Sequence, residues 1–246
     1  MKTLLVFDFD HTVVEDNTDV EILKVLPTFD PLPYKQLYKD EGWTVYMDKI
    51  FEVFSANGLK KQDFEGVLRT MQLAPGMKDL FDYISKHLDV LECIIASDSN
   101  TWFIEFLLEH HGIAAIFNKT FTNTGKWEEE TLRVEPYTRS HDCPKCPVNM
   151  CKSEIVVCER TGFKHVVYVG DGFNDLCPIK SLKTGDLGCP RNGFKLAKMI
   201  KKEQKDFHLL CWTTEGVMLD ADLQFWTSAS EIIPALEIVL NRTKDI

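Results

Sequence analysis

Thr3-Leu4-Leu5-Val6-Phe7 opens the chain with an almost wholly apolar run that stops at Asp8, the pattern of a strand buried on both faces, as in a parallel sheet. Two further runs have the same form. Leu91 to Ala96 is ended by Ser97-Asp98-Ser99-Asn100, and His165 to Val169 by Gly170-Asp171-Gly172. Between them apolar residues recur at helical spacing, through Leu80, Phe81 and Ile84 in Met77 to His87, and through Phe103, Phe106 and Leu107 in Thr101 to His110. Strands alternating with helices predict an α/β fold, a Rossmann-like parallel sheet flanked by helices. Ligands of such sheets bind beyond the carboxyl ends of the strands, where the acidic and small polar residues of this chain gather.

Residues 14–74 break the alternation. Val45, Tyr46, Ile50, Val53 and Phe54, then Phe64, Val67, Leu68 and Met71, have helical spacing, with Pro27 and Pro31-Leu32-Pro33 interrupting and Ala74-Pro75-Gly76 marking the return. This predicts a small helical cap, 14–74, inserted after the first strand of an α/β core made of 1–13 and 75–246. Within the core, 118–151 reads as a loop or hairpin excursion, with Gly125, Pro136, Pro144 and Pro147. Trp43 and Tyr46 sit at a spacing that more often marks a core than an aromatic wall for a quaternary ammonium.

Composition narrows the function classes. The chain has 246 residues, 44% hydrophobic, with 28 Lys and Arg against 38 Asp and Glu, a net charge of −10. That excludes a disordered chain and argues against nucleic acid, since no basic stripe interleaved with aromatics is present. No apolar run approaches the roughly 18–20 residues of a membrane span, and Asp8 cuts the opening run before a secretory signal could form. Position 2 is Lys rather than the Gly of myristoylation, and no prenylation cysteine ends the chain. The expectation is a cytoplasmic protein with no membrane, nucleic-acid or protein partner. Lys195, Lys198, Lys202 and Lys205 share one helical face and read as a solvated face. Eight cysteines are too few for a disulfide scaffold and read as thiols or metal ligands.

Asp8 and Asp10, two residues apart in extended backbone, face the same side. Paired carboxylates suit oxygen-ligated Mg²⁺, or a nucleophile beside a general acid. A lone Asp-x-Asp would read as a solvated turn. Here Asp171 and Asp175 follow another buried strand, among glycines that admit a ligand close to the backbone.

Asp8-Phe9-Asp10-His11-Thr12 resembles the first motif of the haloacid-dehalogenase superfamily. Ser97 resembles the second, Lys152 the third, and Gly170-Asp171-Gly172-Phe173-Asn174-Asp175 the fourth, in the family's order. The resemblance implies a Mg²⁺-dependent phosphomonoesterase. Asp8 would attack phosphorus and form an aspartyl-phosphate, while Asp10 would protonate the leaving oxygen and then activate water. Ser97 and Lys152 would hold the phosphoryl oxygens. Mg²⁺ would be held by the Asp8 and Asp171 carboxylates and the Asp10 carbonyl, with Asp175 orienting a bound water or Lys152. Asp at position 10 favours phosphoester hydrolysis over dehalogenation or a long-lived phosphoenzyme.

From Met1 to about Arg191 the chain is similar to one branch, the phosphoethanolamine/phosphocholine and pyridoxal-phosphate phosphatases, through Asn17-Thr18-Asp19, Ser97 to Asn100 and Cys143 to Lys152. His11 stands where relatives usually have Asn or Glu. The implied substrate is a small phosphomonoester, pyridoxal 5′-phosphate or phosphoethanolamine/phosphocholine. Asp19 and Asp98 would bind its leaving group, the alternative being that they cap helices. The rival reading is a non-catalytic, zinc-organised interaction protein on the same fold, which predicts a damaged motif. Phosphotransfer to another alcohol would differ only in the acceptor. The segment His141-x-Cys143-x2-Cys146-x4-Cys151 offers four soft ligands, sufficient in type for structural Zn²⁺. Packed thiols or a redox pair are the alternatives.

Overall fold

Every side chain of β1 (Thr3–Phe7) is buried, because the strand is paired along both edges and covered on both faces. It runs parallel to β2 (Leu91–Asn100) and to β5 (His165–Gly170), in registers that set Phe7 beside Ile95 and Val169. The computed structural model describes residues 1–209 and 220–244, with the backbone alone over 203–209 and 243–244. Its sheet has the order β4-β3-β2-β1-β5-β6-β7, where β3 is Phe117–Glu128, β4 Thr131–Glu135, β6 Leu187–Pro190 and β7 Asp222–Leu223. All pairings are parallel except that of β3 with β4. The chain builds outward from β1 through β2, β3 and β4, then crosses to β5 and builds the other way. The reversal puts the switch in strand order at the carboxyl ends of β1 and β5, the place where sheets of this kind bind ligands.

Alternation along β1 sends Leu5 and Phe7 to one face and Leu4 and Val6 to the other. The first face meets α5 (Met77–Ser85), α6 (Thr101–His110) and α10 (Ile232–Lys244) through Leu80, Phe81, Phe103, Leu107 and Leu236. The second meets α7 (Lys152–Glu159), α8 (Leu176–Lys180) and α9 (Lys195–Leu209) through Ile155, Val156, Ile179, Leu196 and Ile200. On α9, Lys195, Lys198 and Lys202 are exposed, as a solvated face requires; the Lys205 side chain lies outside the described residues. Among the described residues no helix is long and apolar enough to cross a membrane.

Between β1 and β2 the chain forms α1 (Thr18–Glu21), α2 (Lys35–Glu41), α3 (Trp43–Ala56) and α4 (Lys61–Leu68). Their apolar faces continue the cluster on the first face of the sheet. Phe51 meets the edge of Phe103 at 5.9 Å, and Phe64 meets Trp127 of β3 at 5.2 Å. α3 also lies along β4, the outermost strand. Arg133 donates to Asp48 and Glu52, each at 2.6 Å, and the Val134 N–H donates to Asp48 at 2.8 Å. That contact occupies backbone donors an uncovered edge strand would leave open to other chains. Residues 118–151 run through the β3–β4 hairpin, then continue over 136–151 without helix or strand before α7.

Candidate active site

Asp8 is the first residue past β1. Its N–H still donates to Val169 O of β5 at 2.9 Å, so the sheet sets the direction of the chain at this point. Its Oδ1 accepts from the Phe9 N–H at 2.7 Å and lies 2.8 Å from the Lys152 ammonium. Lys152 begins α7, is 1% exposed, and bridges to Asp175 Oδ1, also at 2.8 Å. Asp175 is fixed from three further sides: the Tyr168 hydroxyl donates to Oδ1 at 2.7 Å, and the N–H groups of Asp171 and Gly172 donate to Oδ2 at 2.9 and 2.8 Å. Only glycine fits at 170, since a Cβ there would lie 2.6 Å from the Asp175 carboxyl carbon.

Asp8, Asp171 and Asp175 present carboxylate oxygens within 4.8 Å of one another. Burial and then the Asp175 charge push Asp8 well above the usual carboxylate range, with Lys152 opposing, and the same two causes raise Asp171 to about 7. Burial would also raise Asp175, but Lys152, Tyr168 and the Gly172 N–H outweigh it and hold Asp175 below the ordinary value. Lys152 stays charged because Asp175 and Asp8 outweigh its burial. Three buried carboxylates against one ammonium form an all-oxygen, electron-rich donor set of the kind a hard divalent ion such as Mg²⁺ takes.

Asp10 accepts from the Thr18 N–H at 3.0 Å and the Thr18 hydroxyl at 3.1 Å; burial nevertheless raises its pKa to about 6. The Thr18 hydroxyl also pairs with the Ser99 hydroxyl at 2.8 Å, and the Ser99 N–H donates to Ser97 Oγ at 3.2 Å. Thr18 thereby links Asp10 to Ser97, buried near the end of β2. Between Asp10 and Thr18 the chain turns through His11 at φ +54°, a left-handed conformation that Asn favours and His tolerates. Arg191, 4% exposed, braces this turn by donating to His11 O and Glu15 Oε2 at 2.5 Å each.

Asp19 and Asp98 flank this group, and neither caps a helix. Asn17 caps α1 and Asn100 caps α6. Asp19 is buried, accepts from the Trp43 indole at 2.6 Å, and is raised to about 7 by burial and then by the Asp10 and Asp98 charges. Trp43, the first residue of α3, thus ties α3 to Asp19 of α1, while Tyr46 beside it is 6% exposed and packs as core. The Asp98 carboxylate accepts from the Asn149 amide at 2.7 Å and from the Asn174 amide.

The ligand set expected at 141–151 needs correction. Cys143, Cys146 and Cys151 converge, but their fourth neighbour is Cys177 of α8, not His141. The His141 ring is engaged by its own loop, with Nε2 2.6 Å from Pro147 O and Nδ1 accepting from the Cys143 N–H at 3.2 Å. Sequence reasoning also assigned no role to Thr18, Tyr168 or Arg191. Tyr168 was hidden inside an apolar strand, and the roles of Thr18 and Arg191 depend on contacts far from their own motifs. Asn149 and Asn174 lay within motifs already singled out.

A family model described as Putative Phosphatase matches residues 3–240. The chain is 35% identical over 249 residues to the probable phosphatase phospho2 of Xenopus tropicalis, covering 98% of this chain and 99% of that one. It is 34% identical over 239 residues to a pyridoxal phosphate phosphatase of Homo sapiens, covering 92% and 98%. A phosphoethanolamine/phosphocholine phosphatase of Gallus gallus is 32% identical over 251 residues, covering 98% and 90%. Among solved structures, a phosphoserine phosphatase caught as a phospho-aspartyl intermediate analogue superposes with a TM-score of 0.59 at 17% identity, covering 95% of this chain and 98% of that chain. At that identity the likeness is one of fold.

Proposed function

Since this chain belongs to the putative phosphatase family and is a haloacid-dehalogenase-type phosphoric monoester hydrolase, we propose that it cleaves small phosphomonoesters whose alcohol carries an amine or a polar ring. Pyridoxal 5′-phosphate and phosphoethanolamine or phosphocholine, named in its relatives, are the preferred substrates. The observation that carries the reading is the Lys152 ammonium seated 2.8 Å from both Asp8 and Asp175.

In this reading Asp8 attacks phosphorus in line and becomes the aspartyl-phosphate. Lys152 and the Ser97 hydroxyl face the equatorial phosphoryl oxygens and hold the charge that builds there. Asp10, at about 6, carries a proton in enough molecules near neutrality to give one to the departing oxygen, and its conjugate base then takes a proton from water. Asp8 and Asp171, with the Asp10 carbonyl, would hold Mg²⁺, and Asp175 would fix Lys152. When bound, the ion would supply positive charge that offsets the phosphoryl oxygens beside Asp8. Residues 14–74 act as a cap over the strand ends of a core formed by 1–13 and 75–246, excluding water from the intermediate. Asp19 and Asp98 lie on the leaving-group side, where carboxylates favour ammonium or pyridine groups and disfavour acids. The rival non-catalytic reading requires damage to Asp8, Asp10, Ser97, Lys152, Asp171 or Asp175, and all are in place.

The test is turnover of these esters against 3-phosphoglycerate, with Mg²⁺ and with chelator. Asp98→Asn is expected to lower kcat/KM for the preferred substrate by about 10- to 100-fold, the equivalent of one charge-assisted contact. p-Nitrophenyl phosphate, which lacks that contact, should lose far less. Equal losses on both would make Asp98 a scaffold residue, and full activity in chelator would remove the metal.

A further inference from the structure

Four thiols outside the acidic site converge. The sulfurs of Cys143, Cys146, Cys151 and Cys177 lie within 4.8 Å of one another, Cys143 being 3.5 Å from Cys146 and 3.8 Å from Cys177. Four thiolates at about 2.3 Å from a tetrahedral Zn²⁺ stand about 3.8 Å from each other, so these sulfurs are already near that spacing. A disulfide would need two of them at about 2.05 Å, and all four are free. Ordinary core packing does not account for the group either. Only Cys151 is buried; Cys143 and Cys146, within a loop rich in polar residues, and Cys177, in α8, are partly exposed.

The loop is held by scattered turn bonds and side-chain contacts, among them His141 Nε2 to Pro147 O and Asn149 to Asp98. Over 136–151 it has no helix or strand, and its backbone bonds include Thr138 N–H to Asn149 O at 3.0 Å and Met150 N–H to Pro147 O at 3.2 Å. An irregular segment of this length inside an ordered core calls for a device that orders it.

We infer that Cys143, Cys146, Cys151 and Cys177 form a structural tetrathiolate Zn²⁺ site that fastens the 136–151 loop to α8. Binding converts four thiols and Zn²⁺ into a zinc tetrathiolate and releases four protons to solvent, with no change of oxidation state. Thiolate softness selects zinc over the Mg²⁺ of the oxygen-lined site. The position gives the ion a purpose. Cys151 directly precedes Lys152, and Cys177 lies in the helix that follows Asp175, so one ion secures both ends of the ion pair at the phosphate site. Asn149, on the same loop, holds Asp98. His141 stays outside the coordination sphere.

The experiment uses the whole chain purified under reducing conditions. Elemental analysis should find about one zinc per chain in the wild type, in His141→Ala and in the exposed-thiol control Cys158→Ser. Cys146→Ser and Cys177→Ser should lose it. Stripping the metal should lower the melting temperature and slow turnover by roughly 10- to 100-fold, both restored by Zn²⁺. If the cysteine variants do not fold, Co²⁺ titration of stripped wild type decides: thiolate-to-cobalt charge transfer with the visible bands of tetrahedral Co²⁺ supports the site. Failure to bind either ion, full zinc retention in Cys177→Ser, or a Cys143–Cys146 disulfide in the native protein would each overturn the inference. Asp8→Asn is expected to retain its zinc, so this result is read separately from the phosphatase chemistry.

Discussion

At Asp8, shape and charge pull apart. Burial and Asp175 disfavour an anion there while Lys152 opposes them, so Asp8→Asn removes a repelled charge from a nearly unchanged shape. Its melting temperature in the absence of divalent metal should equal or exceed that of the wild type, while kcat falls by more than about a thousandfold because an amide cannot take the phosphoryl group. A variant keeping a tenth of the wild-type rate would rule out attack by Asp8. Asp19 makes the complementary case. Its pKa is about 7 in the fold and about 3.9 in an unfolded chain. Between those values the folded protein keeps a proton the unfolded chain has lost, so stability falls as pH rises through that window and the full cost is felt above about pH 7. Three pH units correspond to on the order of 4 kcal/mol. Asp19→Asn, which can still accept from Trp43, should therefore be stabilised at about pH 8 and unchanged at about pH 3, where both states are protonated. Urea unfolding at the two pH values measures the difference, and an equal effect at both would show that ionisation is not its origin.

Gly76 shows how one position joins two elements. It precedes α5 at φ +71°, and a Cβ there would lie 2.1 Å from Ser228 Oγ and 2.8 Å from Ser230 N, beside the Ala229 N–H that donates to Pro75 O at 2.7 Å. Gly76→Ala pays about 1–2 kcal/mol for the left-handed conformation alone, and the contact with the 228–230 backbone adds to it. The melting temperature should fall by more than about 5 °C; an unchanged value would mean that the C-terminal segment does not pack there. This junction was legible in the sequence only as a turn, because its partner residues come from the far end of the chain. The same distinction runs through the other elements. β1, β2 and β5 declare themselves because burial on both faces demands continuous apolar runs, and α3 to α6 because one buried face imposes helical spacing. β3 gave no such signal: its fully buried side chains are the polar Thr122 and Asn123, and its strand character comes from backbone pairing with β2. At the site, Asp8, Asp10, Asp171 and Asp175 were visible because each pair is local in sequence. Thr18 to Ser99, Tyr168 to Asp175 and Cys177 to Cys143 are joined only by the fold, and no spacing rule reaches them.

For the molecule as a whole, charge bears on which phosphates it admits. The chain carries a net −10, with Asp19 and Asp98 among the acidic groups beside the site, so a phosphate approaching Lys152 would do so against a repulsive field. The field discriminates by substrate charge. Phosphoethanolamine, whose ammonium offsets part of its phosphate, meets less repulsion than 3-phosphoglycerate, which brings a carboxylate as well. Salt screens this long-range part over about 10 Å at 0.1 M, while the proposed contacts of Asp19 and Asp98 with a bound leaving group would act inside that distance and be screened much less. Raising ionic strength from about 0.02 to about 0.3 M should therefore raise kcat/KM for 3-phosphoglycerate more than for phosphoethanolamine, narrowing the preference without abolishing it. The fraction that survives high salt is the local contribution, and Asp98→Asn should reduce that fraction specifically. If the preference is the same at all salt concentrations, the net charge of the protein has no part in substrate choice and the contacts at Asp19 and Asp98 carry it alone. If it vanishes at high salt, those contacts contribute nothing, and their assignment to the leaving group fails.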